Sequence, residues 1–159
     1  MKARLWLALA SMMLLATLQC NALSDKAGGF SADFPSAPSE ASVPDKMGTV
    51  HMFSARGNGR GYLVSYVDLA ENTARLDPHQ VLDLILGSTV TVGDTLRRED
   101  DVPTKGSVER DVVLVNGGAV RALRLIVVKS RAYIVQAAWS TDEGAAAGGK
   151  FLESFKLTP

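Results

Sequence analysis

The sequence holds one cysteine, Cys20, so no disulfide can form within the chain. Its stability has to come from a packed core, whatever the redox state of its compartment. It has only two histidines, His51 and His79, well separated along the chain. A zinc site asks for three or four Cys, His or carboxylate ligands at short spacing, so neither a metal nor a cofactor is read from the sequence. Net charge is also missing, with Lys plus Arg equal to Asp plus Glu at 17 each. That balance gives no support to a nucleic-acid partner, which needs a basic surface to displace counterions. It gives none to electrostatic attachment at an anionic membrane either. No Gly-x-Ser-x-Gly elbow surrounds Ser65 or Ser140, the serines nearest the β-rich segments, so no serine nucleophile is read.

What is present begins with an export signal. Lys2 and Arg4 precede an uncharged run from Leu5 to Leu18, mostly Leu, Ala and Met, followed by Gln19-Cys20-Asn21-Ala22. The run is shorter than the ~20 residues that span ~30 Å of hydrocarbon. Small residues at Cys20 and Ala22 suit a signal peptidase, so residues 1–22 are expected to be cleaved after Ala22. The protein is then exported, to the periplasm or the medium. Cys20 could instead be the acylated residue of a lipoprotein signal, but Leu18 and Gln19 before it are bulky for that enzyme. Removing residues 1–22 takes away Lys2 and Arg4 and no acid, which leaves the remainder two charges negative.

Residues 23–29 read as a flexible leader and residues 30–157 as a single α+β domain. Phe30 to Phe34 alternates apolar and polar, as a short strand does, and ends at Pro35. Residues 35–46, with three prolines, read as a surface connection. Two strands, 48–55 and 62–69, flank Gly57-Asn58-Gly59-Arg60-Gly61 as a hairpin. Asp77 and Pro78 open a helix, with Asp77 as N-cap and Gln80 completing a capping box. Its apolar face is expected to hold Val81, Leu84, Ile85, Ser88 and Val92, and Gly93-Asp94 to end it. Residues 95–102 read as a polar edge strand, stopped by Pro103. Residues 108–115, 119–129 and 131–140 form a meander through Asn116-Gly117-Gly118 and Lys129-Ser130 turns, apolar enough to be covered on both faces. Thr141-Asp142-Glu143 could start a helix, but the glycines at 144, 148 and 149 weaken it. A short helix is therefore expected near 148–156, carrying Phe151, Leu152 and Phe155.

Each candidate site has a plainer explanation. The glycine cluster at 57–61 looks like a phosphate loop, yet it lies between strands rather than before a helix, so it reads as a turn. Glu99-Asp100-Asp101 beside Arg97-Arg98 reads as a solvated loop rather than an acid/base pair or a calcium site. His79 beside Asp77 and Asp83 suits a surface. Tyr62, Tyr66 and Asp68 share a strand face with Val64 and are read as buried packing rather than a binding face. Arg121 and Arg124 face opposite sides of one strand and build no common patch. Trp139 is read as core. No catalytic, cofactor-binding or metal residue is assigned.

The order of elements is more informative than any motif. A Phe30-x-x-x-Phe34-Pro35 opening strand leads to a hairpin and then to the Asp77-Pro78 helix. A meander follows, and then a terminal Phe151-Leu152-x-Ser154-Phe155 helix. This succession resembles the PsbP-like fold, named for an extrinsic subunit of photosystem II and similar to that of a eukaryotic Ran-binding protein and of many exported bacterial proteins. The resemblance implies an antiparallel sheet flanked by helices, an α/β/α sandwich. It also implies a non-catalytic binding or accessory role, with another protein of the cell envelope as partner. Two alternatives stand beside it: a small-molecule or lipid carrier with a pocket between sheet and helix, and a hydrolase using carboxylates or His79.

Overall fold

The computed structural model describes residues 21–102, 104–140 and 142–159. Residues 1–20 of the expected export segment, Cys20 among them, and the expectations placed on Pro103 and Thr141 lie outside the described residues.

In chain order the elements are β1 (Asn21–Asp25), β2 (Phe30–Phe34), β3 (Ser39–Asp45), β4 (Gly48–Gly57), β5 (Arg60–Asp68), α1 (Glu71–Ala74), α2 (Pro78–Thr89), β6 (Thr95–Val102), β7 (Val108–Asn116), β8 (Ala119–Val128), β9 (Arg131–Trp139), α3 (Glu143–Ser154) and β10 (Lys156–Leu157). Seven strands form one antiparallel sheet in the order β3-β4-β5-β9-β8-β7-β6, and β1, β2 and β10 form a smaller one. The turns follow from residues that tolerate positive φ. Asn58 and Gly59 turn β4 into β5 at φ 51° and 70°, and Gly117 and Gly118 turn β7 into β8 at 55° and 86°. Both are two-residue connections whose twist matches that of the strands they join.

Alternation along the central strands splits the core in two. Val64 and Tyr66 of β5 and Tyr133, Val135 and Ala137 of β9 point to one face, where they meet Phe30 and Phe34 of β2 and Phe151 and Phe155 at the end of α3. Val112 and Leu114 of β7 and Leu123, Leu125 and Val127 of β8 point to the other, where Val81, Leu82 and Ile85 of α2 cover them. The middle of the sheet is therefore dry on both sides, as its continuous apolar runs require. One cover is a helix; the other is α3 side by side with the small sheet.

Several boundaries differ from expectation. Residues 23–29 are not a flexible leader. Leu23 pairs with Ala32 across β1–β2 and packs on the core, while the Asp25 carboxylate accepts from Ala27 N (3.2 Å) and Gly28 N (3.0 Å) to turn the chain. Residues 39–45, read as a connection, form edge strand β3. Every residue there is exposed, so no alternation signals it, and Pro44 is tolerated because it sits at an edge. The short α1 was not anticipated. In α2 the buried face is Val81, Leu82 and Ile85, and Leu84 is exposed; Val92 lies beyond the helix, fully exposed. Val90 leaves helical geometry, and Asp94 Oδ2 accepts from Thr91 N (2.6 Å) and Thr91 Oγ (2.8 Å) in the turn that follows.

The start of α2 is as expected. Asp77 Oδ1 accepts from His79 N at 2.9 Å, and Gln80 Oε1 accepts from Asp77 N at 3.3 Å. Replacing Asp77 by Ala is expected to cost about 1 kcal/mol, the usual worth of such a cap, read as a lower urea midpoint with unchanged slope. A loss indistinguishable from zero would mean the cap does not hold the helix.

Helix α3 begins five residues before the expected start, and its glycines are the reason it fits. A Cβ at Gly148 would lie 2.6 Å from Trp139 Cζ3, and one at Gly144 would fall inside the contact distance of Trp139 Cβ and Cγ. The helix lies against the indole because these two positions carry no side chain.

Candidate functional site

At the turn end of the β4–β5 hairpin, beside α3, lies a cleft of about 540 Å³. Its floor is Tyr62 and Phe151, both buried, with their rings 5.1 Å apart edge-to-face. Arg56 and Arg60 from the hairpin, Lys150 from α3 and Asp33 from β2 line its walls. A second hollow of about 660 Å³, bounded by Trp139 and Ser140, shares Arg56 and Arg60 with the first. Arg60 therefore stands between the two.

Most arginines of the chain are paired with carboxylates, and those of this cleft are not. Arg75 pairs with Glu71, Arg98 with Asp100, Arg121 with Asp94, Arg124 with Asp111 and Arg131 with Asp68, while Arg110 draws in Asp83, Glu99 and Asp101. Among the described residues, Arg56, Arg60 and Lys150 have no such ion-pair partner. Arg60 Nη2 donates to the Glu143 carbonyl at 3.3 Å, and its Nε is sealed from solvent with no acceptor. A buried donor without a partner forfeits on the order of 1–3 kcal/mol, so this guanidinium rests in a position that leaves hydrogen bonding unused.

The remaining candidates resolve into structure. Tyr62 and Tyr66 are buried, as expected, and Trp139 is part-buried against the same core. His51 stacks on Tyr66 at 4.7 Å, with Nδ1 2.9 Å from Ser42 Oγ. His79 Nδ1 lies 3.5 Å from Asp101 Oδ2, at the exposed rim of the Arg110 cluster. Glu99-Asp100-Asp101 is not a loop but part of β6. Glu99 and Asp101 there reach Arg110 of β7 at 2.9 and 2.7 Å, and Asp83 of α2 reaches it at 2.6 Å, tying helix to sheet edge. No three His, Cys, Asp or Glu side chains gather at metal-ligand spacing among the described residues. The glycines at 57–61 form a hairpin, as read; the arginines beside them, Arg56 and Arg60, were not singled out, nor was Lys150. Cations placed directly against a glycine-rich turn were the one available signal.

Another cluster ties β1–β2 to the main sheet. Arg131 grips the Asp68 carboxylate through Nε (2.6 Å) and Nη2 (2.9 Å), donates from Nη1 to Ala27 O (2.7 Å) and lies 5.0 Å from the centre of the Tyr66 ring. Tyr133 donates its hydroxyl to Gly28 O at 2.7 Å, and burial raises its pKa. The Arg131 hydrogen bonds hold the Asp68 carboxyl below its ordinary pKa, against the opposing effect of burial. With a depressed folded value, the stability from this pair is present above the unfolded pKa of about 3.9 and lost as pH falls through the folded one. Asp68→Asn is expected to lower the urea midpoint near neutral pH, with the difference closing by about pH 2. A gap of the same size at both ends would remove the charge from the account.

An antiparallel sheet, covered on one face by a helix and on the other by a helix and a small sheet, defines an α+β sandwich with a cleft at one end. No family model matches the sequence, and no curated protein matches it. In structure, the chain is similar to cyanobacterial PsbP (CyanoP) from Synechocystis sp. PCC 6803, whose structure was solved in solution. The TM-score is 0.61 at 12% identity, covering 94% of this chain and 98% of that one. The fold is PsbP-like.

Proposed function

We propose that this protein is an exported binding module that holds a ligand in the cleft between the β4–β5 hairpin and α3, without making or breaking bonds in it. The observation that carries this reading is the cleft itself. It has a volume usual for ligand sites, lies between sheet and helix, and is walled by three cations against the single carboxylate of Asp33. Of the two kinds of binding module open on the sequence, an accessory domain docking on an envelope protein and a carrier with such a pocket, this geometry favours the carrier. The accessory reading is supported by the fold likeness to a protein named for PsbP. No described helix is long and apolar enough to cross a membrane.

The test is intact and native mass spectrometry of the protein from its own host, beside mild cross-linking. A chain starting at Leu23 with a small molecule bound is the expected result. A lipid on Cys20 would replace the free exported form with an anchored one. A specific cross-linked partner and an empty cleft would favour the accessory reading over the carrier.

A further inference from the structure

The cations of the cleft are out of balance with its acids. Arg56, Arg60 and Lys150 face Asp33 alone, and the adjoining hollow adds no carboxylate. A ligand carboxylate would leave part of that excess standing, whereas a phosphate monoester, with about −1.5 to −2 charges near neutral pH, offsets it. The donors suit the same group. Arginine presents a planar fork that grips phosphate through two parallel hydrogen bonds. The Arg60 fork is held by one long bond, with Nε unpartnered. Arg60 lines both cavities, so its guanidinium borders whatever ligand group enters either. Inorganic phosphate would leave most of the 540 Å³ empty, and the floor beneath is aromatic.

We propose that the cleft takes a phosphate monoester, its phosphate gripped by Arg60 with Arg56 and Lys150 and its organic part lying over Tyr62 and Phe151. This rests on the cleft being the binding site. The tyrosine and phenylalanine are held edge-to-face by their own packing, so they offer a preformed apolar surface. The phosphate end sets the class of ligand, and the floor selects for an attached apolar or planar group.

Calorimetric titration of the exported chain tests this with phenyl phosphate, inorganic phosphate and phenylacetate as probes. Phenyl phosphate is expected to bind saturably at one site, at least tenfold more tightly than either of the others. Arg60→Gln and Lys150→Gln should each weaken it tenfold or more, and Arg60→Lys, which keeps charge but loses the fork, by less. Arg97→Gln, which removes an exposed cation from edge strand β6, should leave it unchanged, and urea midpoints should confirm that each variant folds. Vesicles of phosphatidylcholine with and without phosphatidic acid separate the sources of the phosphate. Flotation that needs phosphatidic acid and Arg60 would assign it to a lipid headgroup, and binding of free phenyl phosphate alone to a soluble ester. No saturable binding of phenyl phosphate, or equal loss in Arg97→Gln, overturns the proposal. If phenyl phosphate fails while a neutral molecule protects the hairpin and α3 amides from exchange, the phosphate class falls and the binding site stands. If no probe or native ligand protects them, both fall.

Discussion

Phe30→Ala is expected to remove about 3–5 kcal/mol of stability, the usual cost of deleting a fully buried ring. Phe30 is completely enclosed, with ring centres 5.5 Å from Phe53, 5.6 Å from Phe155, 6.2 Å from Tyr66 and 6.5 Å from Tyr133. These neighbours come from β4, the end of α3, β5 and β9, so one side chain on the small sheet closes a contact among four other segments. Collapse around the hole is hindered because each neighbour is fixed by its own strand or helix. The loss should show as a lower urea midpoint. Amide exchange should rise in β1 and β2 before it rises in β5 and β9, because the small sheet loses its main anchor while the large one keeps its ladder. A cost under about 1 kcal/mol would be too small for a ring packed in this way.

Gly144→Ala and Gly149→Ala should change stability in opposite directions although both lie in α3. Alanine exceeds glycine in helix preference by about 0.8–1 kcal/mol. At Gly149, where an added methyl meets nothing within 4 Å, that gain should appear as a higher melting temperature. At Gly144 the methyl runs into the Cβ and Cγ of Trp139, atoms close to the backbone that cannot swing away. Overpacking of this kind costs about 1–3 kcal/mol, enough to reverse the sign. Thermal unfolding of the two variants decides it. If Gly144→Ala also stabilises, α3 does not rest on the indole as described.

These two sites mark what the sequence reveals and what it hides. Phe30 and Phe34 are legible because alternation over five residues puts both on one face, and the meander from 108 to 139 is legible through its apolar runs and glycine turns. Gly144 and Gly148 misled in a specific way. Helix preference counts glycine as a cost, and only the position of Trp139 in space shows that the missing side chains admit the helix. Strand β3 escaped because an exposed edge has no buried face to impose a pattern. The α2 face was misjudged by one position, since 81, 82 and 85 satisfy helical spacing as well as 81, 84 and 85 do. The cleft was beyond reach for a different reason. Arg56 and Lys150 lie far apart along the chain, and no local pattern says that α3 will return beside the β4–β5 turn.

Both ends of the seven-stranded sheet have consequences for how molecules of this protein meet one another. At one end Pro44 withholds a backbone donor beside Asp45 and Lys46; at the other, Arg97 to Asp101 sets five consecutive charges along the rim. A strand from a second copy that sought to extend the sheet would lose a hydrogen bond at the first edge and meet charges at the second. Growth into fibrils by adding strands is thereby discouraged at either side. At high concentration the chain should remain dispersed, and substituting Pro44 together with the charges at 97–101 should be what lets it polymerise.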